Sequence, residues 1–99
     1  MTKYEDLPRN ESGGVIAEKI EFPVELGLLR PVEAGGRKLE SLSLREPTAL
    51  DIELCWKHPG EITRMVHLLA SLAELSPDEV RALKAADFAR AAEAAGAFL

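Results

Sequence analysis

Apolar and polar residues alternate in two neighbouring runs of the chain, over residues 20–28 and 37–45. A period of two is typical of a β-strand that buries one face. The pair Gly35-Gly36 lies between the runs and favours a tight turn, because glycine readily adopts positive φ angles. Residues 20–46 are therefore predicted to form a β-hairpin.

Three positions interrupt the alternation. Pro23 has no N–H group to donate to a neighbouring strand, so it indicates a sheet edge or a bulge. Pro31 predicts a kink that divides the first strand into two pieces. Leu39 is out of phase with the leucines that follow it, which predicts a bulge near the turn. The hairpin is thus expected to be irregular.

The spacing of apolar residues changes to that of helices after Pro47. Thr48 and Asp51 have the arrangement of a capping box and predict a first short helix, which ends at Pro59-Gly60. A second helix is predicted over residues 61–75, where apolar residues recur at the i, i+3, i+4 and i+7 positions of an amphipathic helix.

The end of the chain predicts two more helices. Ser76 is a natural cap, and Pro77 at the first helical position and Glu79 at the third complete the signature of a brief third helix. Asp87 is predicted to cap a fourth helix that is rich in small residues. Strands followed by helices indicate an α+β domain. The predicted domain covers residues 20–99, with the β-hairpin at 20–46 and three to four short helices within 48–99.

Residues 1–19 have a different composition. The segment is polar, contains Pro8 and the pair Gly13-Gly14, and shows neither a strand nor a helix period. Such a segment has too few apolar residues to form a core of its own. A flexible N-terminal arm is predicted here, and a segment that becomes ordered on a partner is the alternative.

The length and charge of the chain narrow its possible roles. A chain of 99 residues and 10.8 kDa forms one small domain. A domain of this size buries only about 60–65% of its unfolded surface, which favours help from a partner or a homo-oligomer. The 12 basic and 17 acidic residues give a net charge of −5. Because nucleic acids and anionic membranes attract basic surfaces, neither is an expected partner.

Few residues of the sequence have a spacing that is typical of a metal site or a catalytic site. Cys55, His58 and His67 have no closed zinc-site spacing, and a fourth ligand is missing. The single cysteine excludes an internal disulfide and suits the reducing cytosol. No serine lies in a G-x-S-x-G motif, and no G-K-[ST] sequence follows Gly35-Gly36. The sequence therefore predicts no metal, no cofactor and no enzymatic activity.

A set of short motifs spans the hairpin and the helices. They are Leu28-Leu29-Arg30-Pro31-Val32, the glycine turn, Leu42-Ser43-Leu44-Arg45-Glu46-Pro47-Thr48 with Asp51, Leu75-Ser76-Pro77-Asp78-Glu79, and Asp87. Together they resemble the small tail assembly proteins of Mu-like and other tailed phages and prophages, over residues 20–99. The chain departs from that pattern in its longer arm before Glu18 and in Trp56-Lys57-His58-Pro59.

The resemblance implies a tail assembly chaperone. Such a protein binds the long, largely helical and apolar tape measure protein and helps tail tube subunits assemble around it. The implied partners are the tape measure protein and the tail tube protein, in the cytoplasm of the bacterial host and without incorporation into the mature virion. The alternative is a small structural or adaptor module, such as an oligomer-forming tail component, without a chaperone role.

The resemblance also divides the notable residues into two groups. One is a structural motif, in which Arg45 and Glu46 fix the hairpin to the first helix. It comprises Leu42, Leu44, Arg45, Glu46, Pro47, Thr48 and Asp51. The other is a partner-binding face of apolar helical side chains that contacts an apolar helix of the partner. It comprises Leu54, Trp56, Met65, Leu68 and Leu69, with Phe88 and Phe98 in reserve.

Overall fold

Strands precede helices in the folded chain, which has the predicted α+β architecture. The computed structural model describes residues 1–99. One sheet has the strand order β1-β2-β3, and two short 3-10 turns lie between β1 and β2. The strands are β1 (Thr2–Lys3), β2 (Val24–Ala34) and β3 (Arg37–Leu44). The helices are α1 (Ala49–Cys55), α2 (Glu61–Ala73), α3 (Pro77–Arg81) and α4 (Ala85–Gly96).

Strands β2 and β3 form the predicted hairpin around Gly35 and Gly36, which have φ angles of 60° and 78°. The register shifts between two regular parts. Gly27 lies opposite Ser41, and Val32 lies opposite Leu39. Residues 28–31 of β2 therefore face a single residue of β3, and we call this segment the β2 bulge. The bulge lies on the strand opposite Leu39, where it accounts for the change of phase.

Helices α2 and α4 pack on the sheet and enclose the core. Leu42 and Leu44 of the structural motif point from β3 into this core and are buried, as are Val24 and Leu26 of β2. Because alternate residues of a strand share a face, the observed hairpin turns its leucines toward the helices and its serines toward solvent. The alternation in the sequence thus sets which face of the sheet the helices cover.

Two capping boxes begin helices at the predicted places. The Thr48 hydroxyl accepts from the Asp51 N–H at 3.2 Å, and the Asp51 carboxylate accepts from the Thr48 N–H at 2.8 Å. Ser76 and Glu79 make the same exchange at the start of α3. Asp87 was expected to cap α4, but α4 begins at Ala85 and Asp87 lies inside its first turn. Its carboxylate is buried and binds the β2 bulge instead of the N-terminus of α4.

The N-terminal segment packs on the domain, whereas its composition predicts a flexible arm. Strand β1 pairs in parallel with the start of β2, and Leu7 is buried in the core. The Tyr4 hydroxyl donates to Glu93 of α4 at 2.6 Å, and the Arg9 guanidinium donates to both oxygens of Glu93 at 2.8 and 2.9 Å. A few apolar and charged residues at wide spacing are enough to hold this segment, although they form no periodic pattern.

Candidate partner-binding surface

Large apolar side chains remain exposed mainly in the helical half of the chain. Such exposed apolar surface in a small domain is typical of a binding site. Two positions outside the helical half, Met1 and Leu29, are also exposed. The exposed positions of the helical half are Leu50, Leu54, Trp56, Ile62 and Leu99.

The tryptophan lies where α1 ends. Trp56 is the residue after the last turn of α1, and its side chain is 54% exposed. The Arg64 guanidinium of α2 stacks on the indole ring, 3.8 Å from its centroid. Trp56, Met65 and Leu99 line a surface depression of about 310 Å³ together with Arg64. We call Trp56, Met65 and Leu99 the tryptophan patch.

A second apolar depression lies between α2, α3 and α4. It has a volume of about 250 Å³, and Arg81 is its one charged lining residue. Of its lining residues, Val66, Val80 and Leu83 are buried, whereas Ile62 is 68% exposed. We call it the α2 groove; its apolar lining residues are Ile62, Val66, Val80, Leu83, Ala85 and Phe88.

The structure separates the members of the expected partner-binding face. Leu54 and Trp56 are exposed. Met65 is half-buried in the tryptophan patch. Leu68 and Leu69 are only 1% and 0% exposed, so the prediction that they belong to a partner-binding face is wrong. Both belong to the side of α2 that faces the core, and a partner cannot reach them while the domain is folded.

The two reserve aromatic residues lie apart. Phe88 is half-buried at the α2 groove. Phe98 is half-buried and packs against Phe22, with ring centroids 5.8 Å apart. Phe98 therefore helps to hold the segment before β2.

Ile62 and Leu99 are surface residues that the expected face left out. Ile62 belongs to the apolar stripe of α2, which indicates burial for every member of the stripe. It is nevertheless in the first turn after Pro59-Gly60, where the neighbouring helices no longer cover it. Its position in the first turn of the helix is the feature of the sequence that distinguishes exposed Ile62 from buried Leu69.

The structural motif joins three elements. Arg45 follows β3, and its guanidinium donates to both Asp51 oxygens at 2.7 and 2.9 Å. The Arg45 N–H donates to the carbonyl oxygen of Leu72 near the end of α2, at 3.1 Å. The bonds from Arg45, with those from Thr48, hold the pKa of Asp51 well below its ordinary value. One arginine thus ties the hairpin to α1 and α2.

The neighbouring Glu46 does not share this role. Its side chain is exposed and forms no hydrogen bond or ion pair in the structure. Only its backbone carbonyl oxygen takes part, as an acceptor from Arg45 at 3.2 Å. The expected contribution of Glu46 to fixing the hairpin is therefore limited to its backbone, and Pro47 beside it is half-buried.

The histidines and the cysteine lie near one another, although their sequence spacing did not indicate this. The His58 and His67 rings stack with centroids 3.6 Å apart. Burial lowers the pKa of His67, and the neighbouring His58 lowers it further. The Cys55 thiol donates to the Ile52 carbonyl oxygen at 3.2 Å, and burial raises its pKa. No group of three or more His, Cys, Asp or Glu side chains is arranged to hold a metal ion.

Comparison with known proteins identifies the family of this chain. The model of a family described as "Phage tail assembly chaperone proteins, E, or 41 or 14" matches residues 25–99. The chain belongs to this family. The match covers the hairpin, the structural motif, the tryptophan patch and the α2 groove, and it leaves out the segment before β2. No curated protein and no solved structure matches the chain.

Membership in the family assigns a role in phage tail assembly. A chaperone acts by binding, so the family favours a non-enzymatic role and an interaction with tail proteins. No helix of the structure combines the length and the apolar character needed to cross a bilayer. The exposed apolar surface on α1, α2 and α4 is accordingly the candidate functional site.

Proposed function

We propose that this tail assembly chaperone binds the tape measure protein through the tryptophan patch and the α2 groove. The observation that carries the proposal is the exposure of Trp56 and Ile62 beside apolar depressions, in a chain whose family acts in tail assembly. Tryptophan is enriched among the residues that dominate binding energy at protein interfaces. An apolar depression between helices suits the apolar face of a partner helix.

The charge of the chain supports a solubilising role. A long apolar helical protein exposes surface that favours aggregation before the tail tube encloses it. A domain with a net charge of −5 that covers part of this surface adds like charge to each complex. Complexes of the same sign repel one another, so the tape measure protein stays available for assembly.

The proposal also covers the order of steps in tail assembly. The chaperone acts in the cytoplasm of the bacterial host and leaves the tape measure protein as tail tube subunits replace it. It is then absent from the mature virion. Two small, separate apolar depressions suit such release, because each contributes a modest contact. Several copies are expected along one tape measure protein, and a homo-oligomer of the free chain is compatible with this arrangement.

The test is co-expression of the chain with the tape measure protein of the same phage or prophage. The tape measure protein is expected to become soluble and to co-purify with the chain. Trp56→Ala should weaken binding by about 2 kcal/mol, as aromatic anchors typically do. The variant should unfold near the wild-type temperature, because the Trp56 side chain is 54% exposed.

Leu44→Ala is the matched control for stability. The Leu44 side chain is 1% exposed, and its truncation should cost roughly 2–4 kcal/mol of folding free energy by leaving a cavity. Binding by this variant, measured where it is folded, should be normal. If the wild-type chain neither solubilises nor retains the tape measure protein, the chain is instead a structural or adaptor module.

A further inference from the structure

The α2 groove has the dimensions of a binding site for the side chains of another protein. Its volume of about 250 Å³ is below the range of about 300–1,000 Å³ that is typical of small-molecule sites. It also lacks the convergent polar groups that orient a small ligand, since Arg81 is its one charged lining residue. Its walls are three helices, and such grooves accept apolar side chains spaced along a partner helix.

Two of the three charged residues that line the two depressions are cations, although the whole chain is acidic. Arg64 and Arg81 line the two depressions, and Lys57 and Lys84 are adjacent in sequence to the lining residues Trp56 and Ala85. Glu61 is the one acidic residue that lines either depression.

Most of these cations have no acidic partner within the chain. Lys57, Arg64 and Lys84 form no ion pair, and Arg81 pairs only with the exposed Asp78. Two further acidic residues close in sequence are engaged elsewhere, because Glu79 binds Arg37 and Asp87 binds the β2 bulge. The surface therefore presents positively charged side chains beside the α2 groove and the tryptophan patch.

We propose that the α2 groove binds an amphipathic helix whose apolar face is flanked by acidic residues. This inference rests on the proposed function and defines the kind of tape measure segment that the chaperone recognises. An apolar side chain of the helix fills the space between Ile62 and Phe88, and the flanking carboxylates face Arg81 and Lys84. Charge complementarity of this type sets specificity and the rate of association.

Binding of two synthetic helical peptides to the full chain tests the proposal. Both peptides carry leucines at the i, i+3, i+4 and i+7 positions, with glutamates beside the leucines in one peptide and lysines in the other. Fluorescence anisotropy of labelled peptide should show at least tenfold tighter binding of the glutamate peptide at low salt. The preference should shrink as salt is added, because ions screen exposed charges.

Variants of the chain locate the site. Ile62→Ser should weaken binding of the glutamate peptide at least tenfold, whereas Leu29→Ser should leave it unchanged. Leu29 is the matched control because it is 65% exposed, against 68% for Ile62, and lies in the β2 bulge. Lys84→Glu should reduce the preference for the glutamate peptide, and Lys19→Glu outside the helical half should not.

Several outcomes would overturn the proposal. They are equal binding of the two peptides, unchanged binding by Ile62→Ser, and an equal loss in Leu29→Ser. The proposed function is tested separately by co-expression of the same variants with the tape measure protein. If Ile62→Ser retains as much of that protein as the wild-type chain does, the groove assignment is wrong and the chaperone role stands. If the wild-type chain does not retain it, the proposed function itself fails.

Discussion

Asp87 accepts a hydrogen bond from the backbone N–H of Leu29 at 3.0 Å, across 58 residues of sequence. The other oxygen of the same carboxylate accepts from the N–H of Arg30, also at 3.0 Å. Both donors lie in the β2 bulge, where the register of the hairpin shifts. Arg90 completes the arrangement by donating to Asp87 and to the carbonyl oxygen of Gly27, each at 2.9 Å. The bulge is thus fixed to the first turns of α4.

Removal of the Asp87 carboxylate should destabilise the domain strongly. Burial opposes ionisation of Asp87, but the hydrogen bonds from Leu29 and Arg30, together with the hydrogen bond and charge of Arg90, outweigh it and keep its pKa below the ordinary value. Asp87→Ala leaves these groups without their charged partner and should cost about 3 kcal/mol in urea unfolding. Asp78→Ala is the control and should cost less than about 1 kcal/mol, because its ion pair with Arg81 is exposed. Equal losses would contradict the role of Asp87.

The sequence predicts local features of this fold well. The β-hairpin and both capping boxes depend on residues within a few positions of one another, so spacing alone identifies them. Spacing does not identify the role of Asp87, because its hydrogen-bond partners are in the bulge of a strand that is distant in sequence. A residue at the start of a helix is normally expected to cap it, and only the folded hairpin shows what this carboxylate binds.

Arg45 and Glu46 should differ in their effect on stability. Arg45→Ala removes two hydrogen bonds to Asp51 and should lower the free energy of unfolding by about 1 kcal/mol, the modest value that is typical of a partly exposed ion pair. Glu46→Ala should change it by less than about 0.5 kcal/mol, because its side chain has no partner. Urea denaturation of both variants measures the difference. A loss in Glu46→Ala as large as that in Arg45→Ala would refute the assignment.

Deletion of residues 1–19 should lower the melting temperature by about 5 °C or more. The deletion removes β1 and the buried side chain of Leu7, and it leaves Glu93 without Tyr4 and Arg9. A buried leucine alone contributes about 2 kcal/mol. The milder variant Leu7→Ser should show part of the same loss. An unchanged melting temperature for the truncated chain would show that the segment is a flexible arm, as its composition suggests.

The candidate surface was predictable only in part. The exposure of Trp56 follows from its place after a short helix and before Pro59-Gly60. Leu68 and Leu69 belong to the same apolar stripe as Ile62, and a helical period cannot tell which members the sheet covers. The stacking of His58 on His67 depends on how the connection between α1 and α2 lies against α2, which the sequence pattern does not give.

Stability should decrease as the pH is lowered from about 5 to about 2. Hydrogen bonds from Arg37 lower the pKa of Glu79 to about 2, and those from Arg9 lower the pKa of Glu93 to about 2. In this window the unfolded chain binds more protons than the folded chain, so acid favours unfolding. Urea midpoints at pH 7, 5 and 3 measure the effect. The double variant of Glu79→Gln and Glu93→Gln should lose less stability on acidification, and an identical pH profile would contradict this account.

Hydrogen–deuterium exchange of the chain, alone and in a purified complex with the tape measure protein, shows directly which residues the partner covers. If the helical surface binds the partner, exchange in the complex should be slower at residues 56–65 and 83–88, which border the tryptophan patch and the α2 groove. Exchange in β3, which lies in the sheet, should not change. Protection confined to β3 or to residues 1–19, with unchanged exchange at residues 56–65, would contradict the claim that this chaperone binds its partner through the helical surface.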